Sequence, residues 1–486
     1  MNSAGYRYAA SDQAFYIPAI VRHLMPESFP RDAVLLDGQS RLMLIDNVLA
    51  WILRATGISM QWLFLVLYLL TIAVLFAAVS RLGRSLYRAE WTGFAFVAAM
   101  TLRHSISKTG ANTLEGYFHP RMLAFALGLT GVGFFLERRD FAWLALVAIA
   151  LSIHPTTGIW FAVWLGVAAW VGRPAWRRGL GAAAVVVIAA VVLILWRGPL
   201  AGHLERMDPE WLAAISDKDY LFPLSWPLTA WLANLASVAI VFACWRTRAR
   251  AQLTAPGETA IAVGALALFV MFLCWLPFNE ARIAVAVELQ LSRVFWMIDV
   301  LATAYAVWWI VEGPSAERAD RAGGAERAGG AGRARSAVVL AVLVVLSLAR
   351  GTYSTFIEFR DRPLIAFDIK PGDWRDAMAW ARTTDRSSGW LADPDHAAIY
   401  GSSVRAAAWR DVLIERLKDH AIAMYDREAA LRVTDRERAL GMLQWDTAGG
   451  ARALARRYGL DYLIVDHPLD LPLAHRSGSL FIYRLR

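Results

Sequence analysis

The chain has 486 residues, of which 57% are hydrophobic and 19% charged, with a mean hydropathy of +0.41. So apolar a composition excludes a soluble globular protein of this length, for which about a quarter of residues would be charged. The net charge of +9 does not mark a nucleic-acid partner, because the arginines sit in short loops between apolar stretches, the pattern of cytoplasmic membrane loops.

Residues 1–59 contain five arginines and five acidic residues and lack the basic start and apolar core of a signal peptide. They read as a first extracytoplasmic loop. Within it, Leu42 to Ala55 has apolar residues at helical spacing, with Asp46 and Arg54 among them. Too short and too charged to span, this stretch predicts a helix lying at the membrane interface.

Residues 60–312 form a transmembrane domain. Met60 to Val79, Leu180 to Trp196, Leu228 to Trp245, Thr259 to Leu276 and Val294 to Val311 approach the roughly 20 apolar residues that cross about 30 Å of hydrocarbon. Trp91 to Leu102 is short enough to be a half-crossing. Phe141 to Val171 reads as two short crossings broken near His154-Pro155, where proline interrupts the helix. Cys244 and Cys274 both fall in apolar spans, where a disulfide framework or thiolate metal site is not expected and packing is.

Arginine clusters at 81–88, 138–139, 173–178 and 246–250 mark one side of the membrane. An Ala/Gly/Arg-rich run, 313–336, reads as a flexible cytoplasmic linker, and 337–351 as the last span. The count is about ten spans, with both chain ends outside the cytoplasm. Exporting residues 1–59 with no preceding span is awkward, so a first helix upstream of Met1 is expected to be missing.

Residues 352–486 read as a small extracytoplasmic α/β domain. Asp373 is placed to cap a helix with Trp374, Ala377, Met378 and Ala381 on its buried face. Gly389 to Ala392, Tyr462 to Val465 and Leu480 to Tyr483 predict strands, and Ala429 to Leu443 and Ala448 to Tyr458 predict helices, the second ended by Gly459.

An acidic residue in the first outer loop, Asp12 in Ser11-Asp12-Gln13, precedes three further motifs. These are Glu115-Gly116-Tyr117-Phe118-His119-Pro120-Arg121, Ile153-His154-Pro155 and Leu289-Gln290-Leu291-Ser292-Arg293. With the broken helices and the terminal domain, this pattern resembles, over nearly the whole chain, a bacterial family of polytopic membrane proteins of uncharacterised function. That family is distantly similar to the GT-C glycosyltransferases, which move a sugar from a polyprenyl-phosphate carrier to an acceptor on the outer face of the inner membrane. The resemblance implies a polyprenyl-phosphate-linked sugar donor and membrane lipids as partners, with Asp12 as catalytic base or metal partner. The chain departs from better-known members in having Asp12-Gln13 where they carry paired acids, and in lacking the first helix.

The chemistry is reasonable residue by residue. A carboxylate can take the proton of an attacking hydroxyl. Arg293, at the outer start of a span, and Arg121 can pair with a phosphate through parallel hydrogen bonds, with Arg103 and Lys108 on the same side. His119, Gln290 and Asp219 complete the candidate substrate-binding set; Asp219 stands in Asp217-Lys218-Asp219-Tyr220, where acids beside aromatics suit a sugar. His119 and His154 precede prolines and can also serve as helix-break residues that bind freed backbone. No metal site is expected, because neither histidine stands in a recognisable zinc motif, and no cofactor is implied. Arg405, Trp409 and Arg410 resemble a basic and aromatic cluster of the same family; a fold-stabilising role is expected for them, with a surface role facing the membrane cavity as the alternative. A transporter, a lipid-handling protein and an envelope-assembly scaffold are the alternatives.

Overall fold

The structure, a computed structural model, describes residues 5–40, 43–102, 105–198, 200–314 and 325–486. Seven of its helices are long and apolar enough to cross a membrane: Met60–Leu86, Pro155–Gly172, Pro174–Arg197, Leu228–Arg250, Glu258–Glu280, Ala284–Val311 and Ala337–Glu358. Two shorter apolar helices, Pro120–Leu136 and Asp140–Ile153, pack among them. The protein is a multi-pass membrane protein, mostly helical, with a small sheet near its C-terminus. About ten crossings were expected; the long helices account for seven.

Proline decides one boundary as expected. The stretch 141–171 is two helices that meet at His154, which ends Asp140–Ile153 and begins Pro155–Gly172. Glycine decides how closely helices approach. A Cβ on Gly128 would fall 2.2 Å from the Phe161 ring, and one on Gly264 2.6 Å from the Trp164 carbonyl, so both positions exclude any larger residue. Between the helices Phe125 stacks on Trp296 at 3.7 Å. By contrast the helix Arg177–Arg197 buries no residue and turns Val185 and Ile188 outward, as a helix bathed in lipid would.

The arginine-rich loops do share one end of the bundle. Arg81 pairs with Glu137 at 2.6 Å, Arg173 with Asp140 at 3.2 Å, and Arg248 reaches the carbonyl of Leu86 at 3.0 Å while holding Glu258 at 2.7 Å. Glu312, at the far end of the helix Val294–Val311, accepts backbone hydrogen bonds from Arg88 and Ala89. These contacts tie the bundle together at this end, with these charges paired rather than stranded.

At the opposite end residues 5–40 and 43–60 lie between the bundle and the C-terminal domain. One apolar core joins Tyr16, Ile20 and Leu36 to Phe64 and Phe118 below and to Trp374, Trp390 and Val404 above. The domain's five-stranded sheet runs in the order Asp411–Val412, Gly389–Leu391, Tyr462–Val465, Leu480–Arg484, Leu473–Ser477. Its first three strands are parallel and the last two form an antiparallel hairpin. Asp411–Val412 and Leu473–Ser477 were not foreseen, being short and polar respectively.

Several local expectations change. Asp373 is the first residue of its helix rather than the cap, and its carboxylate instead accepts from Ser479 N–H and Oγ–H. The helix expected over 42–55 occupies Ile45–Thr56, and its Asp46 is fully buried rather than interfacial. Of the run expected to be a linker, 315–324 lie outside the described residues, while the helix Ala325–Tyr353 begins within it and continues into the last span. Good helix formers, Ala and Arg, outweigh the glycines there. Cys244 is buried, but Cys274 is exposed and so packs against no core.

Candidate functional site

Asp12 sits at the N-terminus of the helix Gln13–Leu24, yet its side chain makes no capping bond. Gln13 explains why. Its Oε1 accepts Ala9 N–H at 2.7 Å and its Nε2 donates to the Phe118 carbonyl at 3.1 Å, pinning the loop to the segment before the helix Pro120–Leu136. The Asp12 carboxylate is thereby turned toward that segment. It accepts from Tyr117 OH at 2.7 Å and Lys418 Nζ at 2.8 Å, and His119 Nε2 lies 3.3 Å away.

His119 is oriented from behind. Its Nδ1 accepts the backbone N–H of Arg121 at 3.1 Å, capping the helix, so the ring hydrogen of the neutral imidazole sits on Nε2 and points at Asp12. Its ring is held against Tyr16 and Tyr117. Burial alone would raise the Asp12 carboxyl, but the Lys418 charge, the His119 hydrogen bond and Arg121 outweigh it and hold Asp12 well below the usual carboxylate range. Asp12 is ionised at neutral pH.

A cavity of about 70 Å³ opens beside this carboxylate. Asp12, His119, Arg121, His154, Gln290 and Arg293 all line it, so four motifs spread over 280 positions meet there. Tyr16, Tyr220 and Tyr425 supply aromatic wall, and Lys418 completes it from the C-terminal domain. His154 caps its own helix through Thr157 N–H at 3.4 Å. Gln290 adopts a left-handed conformation (φ 49°) that aims its Nε2 at Tyr425 OH, 2.8 Å away.

The two arginines differ. Arg121 Nη2 is paired with the buried Glu115 at 2.7 Å. Arg293 is buried, 7% exposed, and among the described residues no carboxylate lies within ion-pair distance of it; its Nε, like that of Arg121, has no hydrogen-bond partner. Around the cavity three cations, Arg121, Arg293 and Lys418, therefore face two carboxylates, Asp12 and Glu115. A buried guanidinium without a counter-charge is costly, and an anion entering the cavity would remove that cost.

No family model matches the chain, and no curated protein matches its sequence. Among solved structures it is similar to the Archaeoglobus fulgidus oligosaccharyltransferase tethered with an acceptor peptide, at 12% identity and a TM-score of 0.27. The likeness covers 77% of this chain and 45% of that one, so the chain spans less than half the length of that enzyme.

Asp219 does not belong to that cavity. Its carboxylate, half exposed, pairs with Lys108, and neither residue lines the cavity. Arg103 lies outside the described residues. Arg405 is fully buried and holds Asp32 at 2.7 Å and Asp419 at 2.9 Å, far from any surface role. Tyr117, Tyr425 and Lys418 were missed. Lys418 had a signal of a kind: it is one of only four lysines in the chain. Among the described residues no group of three or more His, Cys, Asp or Glu is placed to hold a metal ion.

Proposed function

We propose that the protein is a GT-C-like transferase that moves a sugar from a polyprenyl-phosphate carrier to an acceptor, with its site on the non-cytoplasmic face. The uncompensated guanidinium of Arg293, facing the same cavity as the ionised Asp12, carries this reading. A lipid phosphate supplies the missing negative charge, and planar guanidinium groups meet phosphate oxygens with two parallel hydrogen bonds. The arginine-rich end of the bundle faces the cytoplasm by the positive-inside rule, which puts the cavity and the C-terminal domain on the other side.

In this reading the bond from the sugar's anomeric carbon to the phosphate oxygen breaks, and Arg293 and Arg121 stabilise the charge that develops on the leaving phosphate. The acceptor oxygen bonds to the same carbon, and its proton passes to Asp12. The low pKa of Asp12 places that transfer late, once bond formation has made the acceptor oxygen acidic. His119 and Tyr117 keep the carboxylate aimed.

The test is transfer of labelled sugar from a polyprenyl-phosphate donor in reconstituted vesicles, comparing the unmodified chain with Asp12→Asn. The variant should lose about 10²- to 10⁴-fold in rate. Equal rates would remove Asp12 from the chemistry; donor binding without transfer by the unmodified chain would favour a lipid-handling protein.

A further inference from the structure

A second cavity, of about 430 Å³, lies on the other side of the loop that carries Asp12. Ala10 lines it while Asp12, two residues on, lines the first. Its floor is the short parallel pairing of Tyr6–Arg7 with Ile365–Ala366, extended by Tyr8 N–H to the Ala366 carbonyl. Its walls are the segment 361–371 that joins the last span to the C-terminal domain, and residues 398–402, where the helix His396–Tyr400 ends. At that size it falls within the range of small-molecule and lipid headgroup sites.

Its charges are unbalanced and its polar atoms unsatisfied. Arg7, Arg362, Lys370 and Arg375 line it against Asp361 and Asp368. Arg375 is beside Asp376 at 3.5 Å, but among the described residues Arg7, Arg362 and Lys370 have no carboxylate partner. Tyr8 is 3% exposed, and both its hydroxyl and Arg7 Nε are buried without a hydrogen-bond partner. Burial, then the like charge of Arg362, pushes the Arg7 guanidinium below its ordinary value. Each of these features is relieved by an anion with acceptor oxygens.

The place of the groove says what carries the anion. The last span, Ala337–Glu358, ends three residues before Asp361, and Trp62, at the start of Met60–Leu86, packs on Phe367 at 4.7 Å. Phe356 and Ile357, each 63% exposed, and Ile365, 58% exposed, lead from the end of that span to the rim. The cationic groove thus opens at the level where hydrocarbon gives way to headgroups, with an apolar track beneath it.

We propose that this groove binds the phosphate-bearing headgroup of an anionic glycerophospholipid, with its acyl chains along Phe356, Ile357 and Ile365. Arg7 and Tyr8 close on the phosphate from the floor, Arg362 and Lys370 from the rim. The site is independent of the transfer reaction proposed above, although the segment 6–12 that forms its floor also carries Asp12.

The test uses the full chain reconstituted in vesicles of equal phosphatidylglycerol and phosphatidylcholine, then extracted in detergent, with co-purifying lipid measured by mass spectrometry. Phosphatidylglycerol should be enriched over its share of the vesicle. The Arg362→Gln/Lys370→Gln double variant, whose side chains are exposed and outside any core, should lose about tenfold of the enrichment. Ile365→Ser, which leaves every charge in place, should also lower it. Enrichment unchanged in the double variant would overturn the proposal. So would displacement of the lipid by excess inorganic phosphate alone, which would show an anion site that does not need the acyl chains.

Discussion

Lys418 of the C-terminal domain donates to Asp12 of the first loop at 2.8 Å, across 406 positions of sequence. The candidate site is therefore complete only when the terminal domain is docked on the bundle.

That pair sets the charge state of Asp12, so Lys418→Met should release it toward the ordinary carboxylate range. The sign follows from the depressed pKa: the pair's stabilisation is present above the unfolded carboxylate value and is lost as pH falls through the lower folded one. Since Asp12 is one third exposed, the cost should be modest, about 0.5–1 kcal/mol. The acidic limb of the pH–rate profile should move up in the variant; an unmoved limb would mean that Lys418 does not govern Asp12.

Arg293→Met separates a ligand-binding arginine from a structural one. Removing a buried charge that has no counter-ion should leave the ligand-free fold as stable or more stable, by up to about 2 kcal/mol. Affinity for a lipid phosphate should fall about tenfold or more. Thermal unfolding in detergent with and without polyprenyl phosphate reads both quantities. A variant destabilised without ligand would show that Arg293 serves the fold instead.

Asp32 is the opposite case, a fully buried carboxylate held by Arg405 and Arg432, with Arg436 at 3.6 Å. Burial opposes its charge, but the three guanidiniums overcome that and hold it ionised. Asp32→Ala would leave Arg432 and Arg436 without their carboxylate, while Arg405 keeps Asp419, at a cost of about 3–5 kcal/mol. Because Asp32 belongs to the first loop and the arginines to the terminal domain, the expected result is undocking, read as new protease cleavage in 359–372 while the bundle stays resistant. Intact protection would show that the apolar core between them suffices.

Glu415 should make stability depend on pH. Burial, then the charge of Asp419, pushes its carboxyl up to about 7. The folded domain thus keeps a proton that the unfolded chain has released, and stability falls as pH rises from the ordinary carboxylate range through about 7. Glu415→Gln should flatten that slope, gaining up to about 3 kcal/mol above pH 7 and little near pH 4. Parallel melting curves for the two proteins across that interval would refute the assignment.

What the sequence determined by itself was whatever depends on neighbours along the chain. Apolar runs fix spans because a helix in lipid must satisfy its own backbone, and the break at His154-Pro155 follows from proline's missing N–H. Motifs with Asp12, His119, Arg121, Gln290 and Arg293 could be picked out for the same local reason, since charged or polar residues beside apolar spans stand out. Their convergence on one cavity, and the pairing of Asp219 with Lys108 outside it, are matters of distance in space. Only the tertiary structure decided those, together with Lys418 on Asp12 and Arg405 on Asp32, because electrostatic pairing acts over a few ångströms and leaves no periodic trace in residues hundreds of positions apart.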